Sequence, residues 1–208
     1  MTAPHPPRTT DDLLVLHALR CGGHAAPARL AAATGLTESA VESELIDLGV
    51  DGLVTRASGP FAAWGLTEAG RAAHARRIAG ELDSAGARGA VRAAYDRFLV
   101  LNPELLDLCT AWQLKPVGGA PAVNDHRDPD YDARVLAGFA RLHERAEPVI
   151  ADLAAALSRF GRYRTRLAAA LDRARAGETA YVADDLASYH TVWAELHEDL
   201  LATLGLPR

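Results

Sequence analysis

Residues 27–70 read PARLAAATGLTESAVESELIDLGVDGLVTRASGPFAAWGLTEAG, and this stretch decides the fold. A short apolar helix, Ala28 to Ala33, meets a Thr34-Gly35-Leu36 turn. Gly35 tolerates positive φ there, and Leu36 fills the space between two steeply crossing helices. Thr37 stands at the N-cap of the second helix, whose Ala40, Val41, Leu45 and Leu48 share one face. Gly49 and Gly52 precede a β-prone run, Leu53 to Arg56. A Gly59-Pro60 turn leads to a second run, Phe61 to Leu66, and Thr67 caps a third helix.

Helix, turn, helix, hairpin, helix is the order of a winged helix-turn-helix. The stretch resembles the DNA-binding domain of MarR-like bacterial regulators, most closely in GLTEAG, Gly65 to Gly70. The resemblance covers about the first 80 residues. It implies double-stranded DNA as partner and a homodimer. DNA would be met by Thr37, Ser39 and Ser43 of the second helix and by Arg56 on the wing. The later segment SYHTVWAELHEDLLATLG, Ser188 to Gly205, resembles helical tails of uncharacterised regulators and implies no chemistry.

Charge argues against a strong DNA reader. A recognition helix offers bases and amides to phosphates and base edges. This one carries Glu38, Glu42, Glu44 and Asp47 and no Lys or Arg. Carboxylates facing a duplex repel it. The chain as a whole has a formal charge of −5. A scaffold of this kind that serves another purpose is therefore the competing reading, because fold does not fix function.

The 208 residues, 49% of them apolar, suffice for two small domains. No apolar run approaches the ~20 residues that span a bilayer, so no membrane partner is expected. The N-terminus has no apolar signal core, and Cys21 and Cys109 lack metal spacing, which together predict a cytoplasmic protein. Residues 1–10 read as a disordered lead-in, 11–82 as the winged helix-turn-helix domain, and 87–208 as an all-α effector or dimerisation domain. The fold class is thus mainly α. Within the second domain the pattern predicts helices over 87–100, 103–114, 129–158, 161–176 and 179–204, with Pro148 kinking or dividing the third. Residues 115–130 read as a loop.

The last helix carries an apolar stripe with polar members. Leu186, His190, Trp193, His197, Leu200 and Leu204 recur at helical steps, widened by Tyr189, Val192 and Leu196. Glu195, Glu198 and Asp199 fall on the side expected to be solvated. If the stripe converges with Trp112 and His126, the candidate ligand-binding set is Trp112, His126, Tyr189, His190, Trp193 and His197. Structural hydrogen bonding explains the same residues equally well. A metal site is not expected, since His190 and His197 lie about 10.5 Å apart along the axis and no HExxH motif is present. No cofactor motif is present either. The run Arg159, Arg162, Arg164, Arg166 reads as a solvated helix start that could hold an anion.

Two function classes follow. One is a DNA-binding transcriptional regulator with a helical small-molecule effector domain. The other is a winged-helix-derived enzyme or ligand-binding protein that does not read DNA, with His190 or His197 as its acid–base group.

Overall fold

The computed structural model describes residues 8–57 and 63–207, which are mostly helical. Residues 1–7 of the lead-in, the Gly59-Pro60 turn and Phe61 lie outside the described residues.

The first helix, α1 (Asp11–Gly22), is followed by α2 (Pro27–Thr34) and α3 (Glu38–Val50). Gly35 closes α2 with a φ of +79° and donates its N–H to the Ala31 carbonyl. Thr37 then opens α3, its hydroxyl accepting from Ala40 N at 3.2 Å. Strands β1 (Val54–Arg56) and β2 (Trp64–Leu66) pair antiparallel, Val54 opposite Leu66 and Arg56 opposite Trp64. Trp64 also exchanges two backbone hydrogen bonds with Ala25, between α1 and α2.

The helix α4 (Glu68–Ser84) starts at a tight junction. The Thr67 hydroxyl accepts from Gly70 N at 3.0 Å and donates to the Gly52 carbonyl at 2.8 Å. Any Cβ at residue 70 would sit 1.9 Å from the Leu53 carbonyl oxygen, so only glycine lets α4 approach the strand this closely.

Four further helices form a bundle: α5 (Arg88–Gln113), α6 (Pro129–Ala156), α7 (Gly161–Arg175) and α9 (Tyr189–Leu204), with the short α8 (Ala180–Ala183) between the last two. One apolar cluster gathers Leu16, Leu30, Val41, Leu45 and Leu66 around α1 to β2. A second gathers Phe98, Trp112, Phe139, Phe160, Trp193 and Leu196 in the bundle, and reaches Leu82 of α4. The α1 helix packs on α2, α3 and α4, and also on α9. This explains why seven consecutive α1 residues, Leu13 to Leu19, are buried.

Four sequence expectations need correction. The helices expected over 87–100 and 103–114 are one continuous α5 with Pro103 inside it, and Pro148 does not divide α6. Both prolines are exposed, so water can take the carbonyl that each leaves unpaired, while buried neighbours hold the axis. Residues 115–130 are not simply a loop: β3 (Leu114–Val117) and β4 (Ala120–Val123) form a hairpin. Gly118 and Gly119 both have positive φ, as a two-residue hairpin turn requires, and Pro116 faces Pro121 where a two-stranded ribbon has free edges. Finally, 179–204 is broken before Ser188, whose hydroxyl caps α9 by accepting from Thr191 N.

Candidate functional site

Two regions carry the polar chemistry: the outward face of α3 and a buried ionic cluster between α1 and the bundle.

On α3, Val41, Leu45 and Leu48 point inward, and Ser39, Glu42, Ser43, Ile46 and Val50 are exposed. Ile46 is 60% and Val50 84% accessible, so the outward face is apolar as well as acidic. Thr37 is exposed at its cap, and Arg56 is exposed at the end of β1. Arg56 and Trp64 share a groove of about 230 Å³ with Pro27, Glu42, Leu45 and Ile46. Glu44 does not join this face in the same way. It is half-buried, and partial burial with Asp12, Asp11 and Asp47 nearby raises its carboxyl above the ordinary value.

The expected ligand set falls into two groups. Trp112 is buried with its ring 4.6 Å from that of His126, and His126 Nδ1 lies 3.0 Å from Asp132. Asn124 ties this corner together, donating to the Trp112 carbonyl at 3.0 Å and to Asp132 at 2.8 Å. Tyr189 and Trp193 are buried elsewhere: Trp193 stacks on Phe98 at 4.7 Å and donates its indole N–H to Asn102. Asn102 and Trp112 are ten residues apart on α5, about 15 Å along the axis. The structure therefore does not bring the two groups into one cavity. His190 and His197 are half-buried, and His197 sits beside Phe98 at 5.3 Å, where burial lowers its pKa. Among the described residues no group of three or more His, Cys, Asp or Glu could hold a metal ion.

Two expectations about charge fail together. Asp199 is not solvated but has 0% exposure, and Arg159 and Arg162 are not a solvated helix start. The buried face of α9 runs through Tyr189, Val192, Trp193, Leu196, Asp199, Leu200 and Thr203, so Trp193 and Leu200 of the stripe and the three residues read as widening it are buried, while His190, His197 and Leu204 are half-buried. Leu186 lies outside the helix and is exposed.

Asp199 is the centre of the cluster. Its Oδ1 accepts from His17 Nε2 at 2.8 Å, from the Thr203 hydroxyl at 3.0 Å and from Arg159 Nη1. Its Oδ2 accepts from Arg162 Nη2 and from the Tyr163 hydroxyl, both at 2.9 Å. Burial alone would raise the Asp199 carboxyl, but Arg159, His17 and Arg162 hold it well below its ordinary value. His17 Nδ1 lies 2.8 Å from His74 Nε2. With His17 Nε2 donating to Asp199, the neutral ring accepts at Nδ1 from the His74 Nε2–H. Burial lowers both imidazoles, opposed at His17 by Asp199; His74 falls to about 3. On the far side Arg159 Nε donates to Glu81 at 3.0 Å, and Thr9 donates to the same carboxylate.

The cluster thus sets Arg159 and Arg162 against Asp199 and Glu81, with both histidines neutral. Its members come from α1, α4, α7 with the turn before it, and α9, so it joins the N-terminal helices to the bundle. Arg29 of α2 adds a longer contact across the same seam, 3.8 Å from Glu195. His17 lies within the apolar run Leu13 to Leu19, where nothing in the sequence singles it out. The available signal was Asp199 in step with Val192 and Leu196. Apart from Thr203, one turn on, its partners lie 36 to 182 residues away, a pairing that no local pattern announces.

Compared with family models, with curated proteins and with solved structures, the chain shows no match.

Proposed function

We propose that the chain is a DNA-binding transcriptional regulator of winged helix-turn-helix build, held by a helical C-terminal unit that answers a small-molecule effector. The observation that carries this reading is the mounting of α3 and the hairpin. The α3 helix is anchored by Val41, Leu45 and Leu48 and leaves Ser39 and Ser43 exposed. The β1–β2 hairpin is pinned to the α1–α2 connection through Ala25 and to α4 through Thr67. On this reading Thr37, Ser39 and Ser43 meet phosphates or base edges, and Arg56 meets a phosphate or the minor groove. A cytoplasmic homodimer would place two such surfaces on successive half-sites.

The test is a fluorescence-anisotropy titration of the purified chain with duplex DNA flanking its own gene, at several salt concentrations. Specific binding whose logarithm falls linearly with log salt supports the proposal. Absence of specific binding at low salt overturns it.

A second reading has one observation in its favour. Ile46 and Val50 lie exposed on the same helix as Glu38, Glu42 and Asp47, which suits a ligand or protein better than a phosphate backbone. On that reading the scaffold binds something other than DNA.

A further inference from the structure

Among the described residues nine large apolar side chains are exposed, and six of them belong to α5 and the hairpin that follows it: Leu99, Val100, Leu106, Leu114, Val117 and Val123. Single exposed apolar residues need no partner, but a gathered set marks a contact surface. On α5, Leu99, Pro103, Leu106 and Thr110 recur at helical steps on the side away from the bundle core, and all four are exposed. Leu114 then closes α5 and opens β3, so the stripe runs on into the ribbon.

The ribbon repeats the pattern. Leu114 pairs with Val123 and Pro116 with Pro121, so these apolar side chains share one face, and all are exposed. Lys115 and Ala122, on the opposite face, are half-buried. The prolines withhold N–H groups that another strand would need at a free edge, so the ribbon suits a partner over its face and not along its edge.

Charge and shape identify the partner. Residues 88–100 of α5 hold Arg88, Arg92 and Arg97 against Asp96, while residues 101–113 hold Glu104 and Asp107 and no base. A second α5 lying antiparallel sets each basic half against an acidic one. A two-fold axis between residues 102 and 103 puts Leu99 level with Leu106 of the second copy, and Asp107 within one residue of its Arg97. The same axis brings Leu114 level with residues 90–93 of that copy. There Ala90 and Ala93 of α5 and Ala155 and Ala156 of α6 line an open groove of about 380 Å³. The bulky end of each copy thus meets the small-residue end of the other. A helix of 26 residues is about 39 Å long and about 10 Å wide, so with the ribbon each copy can bury several hundred Å², the scale of a standard interface at about 800 Å² per partner.

We propose that α5 and the β3–β4 ribbon form the face through which two copies of this chain pair, antiparallel about a two-fold axis beside Pro103. The proposal rests on the homodimer invoked above and supplies its surface; whether α3 meets DNA is a separate question.

The test is sedimentation velocity of the full chain over about a hundredfold range of concentration, with circular dichroism to check folding. The expected result is a dimer that dissociates on dilution. Val100→Glu combined with Leu106→Glu changes only exposed side chains and keeps the fold, and it should weaken dimerisation about hundredfold or more. Leu186→Glu alters an exposed apolar residue off this face and should leave the dimer unchanged. Pro103→Cys should join two copies by a disulfide on mild oxidation, and the unaltered chain, whose Cys21 and Cys109 are not exposed, should not. A wild-type chain that stays monomeric throughout overturns the proposal, even if it binds DNA. So does a dimer that persists in the folded Val100→Glu, Leu106→Glu protein, or one that Pro103→Cys fails to cross-link. A chain that pairs in this way yet binds no DNA supports the proposal and overturns only the DNA reading.

Discussion

His17 of α1 and Asp199 of α9 meet at 2.8 Å, and neither side chain is exposed at all. Residues 182 positions apart, one in each half of the chain, thereby share a proton in a dry environment. The contact ties the orientation of α1, and with it α2 and α3, to the bundle.

Asp199→Asn should therefore be severe. It leaves Arg159 with Glu81 alone and Arg162 with no carboxylate partner among the described residues, and uncompensated buried charge costs about 3–5 kcal/mol. Urea unfolding measures this directly. A double-mutant cycle with His17→Phe should give a coupling of about 1–3 kcal/mol. A loss below about 1 kcal/mol for Asp199→Asn would show that the cluster does not hold the two halves together.

The histidines make stability pH-dependent in a defined direction. His17 and His74 are both depressed in the folded state, His74 to about 3, so the unfolded chain takes up protons first as pH falls. Their contribution is fully present above about pH 6.5 and is lost progressively as pH drops toward the folded values. The charges facing them are Asp199, Arg159, Arg162 and Arg20. Asp199 acts in the same direction at lower pH, its stabilisation being lost below about pH 4. Between pH 6 and 4.5 His74 should lower stability by about 1 kcal/mol or more per pH unit, with His17 acting in the same direction. Chemical unfolding at stepped pH measures the slope, and His74→Gln should flatten it.

Two glycines of α4 should behave oppositely. Gly70→Ala forces a Cβ to within 1.9 Å of the Leu53 carbonyl, so the hairpin must move, at a cost of about 1–3 kcal/mol or more. Gly80 is exposed in mid-helix with open space around its Cβ position. Gly80→Ala should be neutral or stabilise by about 0.5–1 kcal/mol. Equal effects in thermal unfolding would contradict the tight α4–strand junction.

Trp193 is structural in this arrangement, stacked on Phe98 and bonded to Asn102. Trp193→Ala should destabilise by about 3–5 kcal/mol. Trp193→Phe keeps most of the packing and leaves Asn102 without its donor, so it should cost about 1–2 kcal/mol. A Trp193→Ala protein of normal stability would place the residue in an open pocket instead.

The α3 surface can be probed by charge. Arg56→Ala should weaken DNA binding and lower the salt slope by about one unit. Changing Glu38 and Glu42 to Gln should raise non-specific DNA affinity, because repulsion is removed. Unchanged affinity in both variants would mean that this face does not approach a duplex.

The sequence by itself determined the local elements. Thr37 and Thr67 cap helices through short-range hydrogen bonds, and Gly35 takes the positive φ that ends α2, so all three were legible from a few neighbouring residues. Periodicity likewise placed Val41, Leu45 and Leu48 inside, since a helix repeats its faces every 3.6 residues. Only the tertiary structure decided which polar residues became chemistry. Asp199 looked like a solvated acid until α1 and α7 closed over it. Arg159 and Arg162 looked like surface charge. Burial reversed all of these assignments. The stripe on α9 placed Trp193, Leu196 and Leu200 inside but missed Asp199 and Thr203, because a helix packed on several sides buries more than one face, and a single period cannot say which partner covers which. A buried charge is tolerable only beside its counter-charge, and that partner arrives from distant sequence through packing rather than through any local signal.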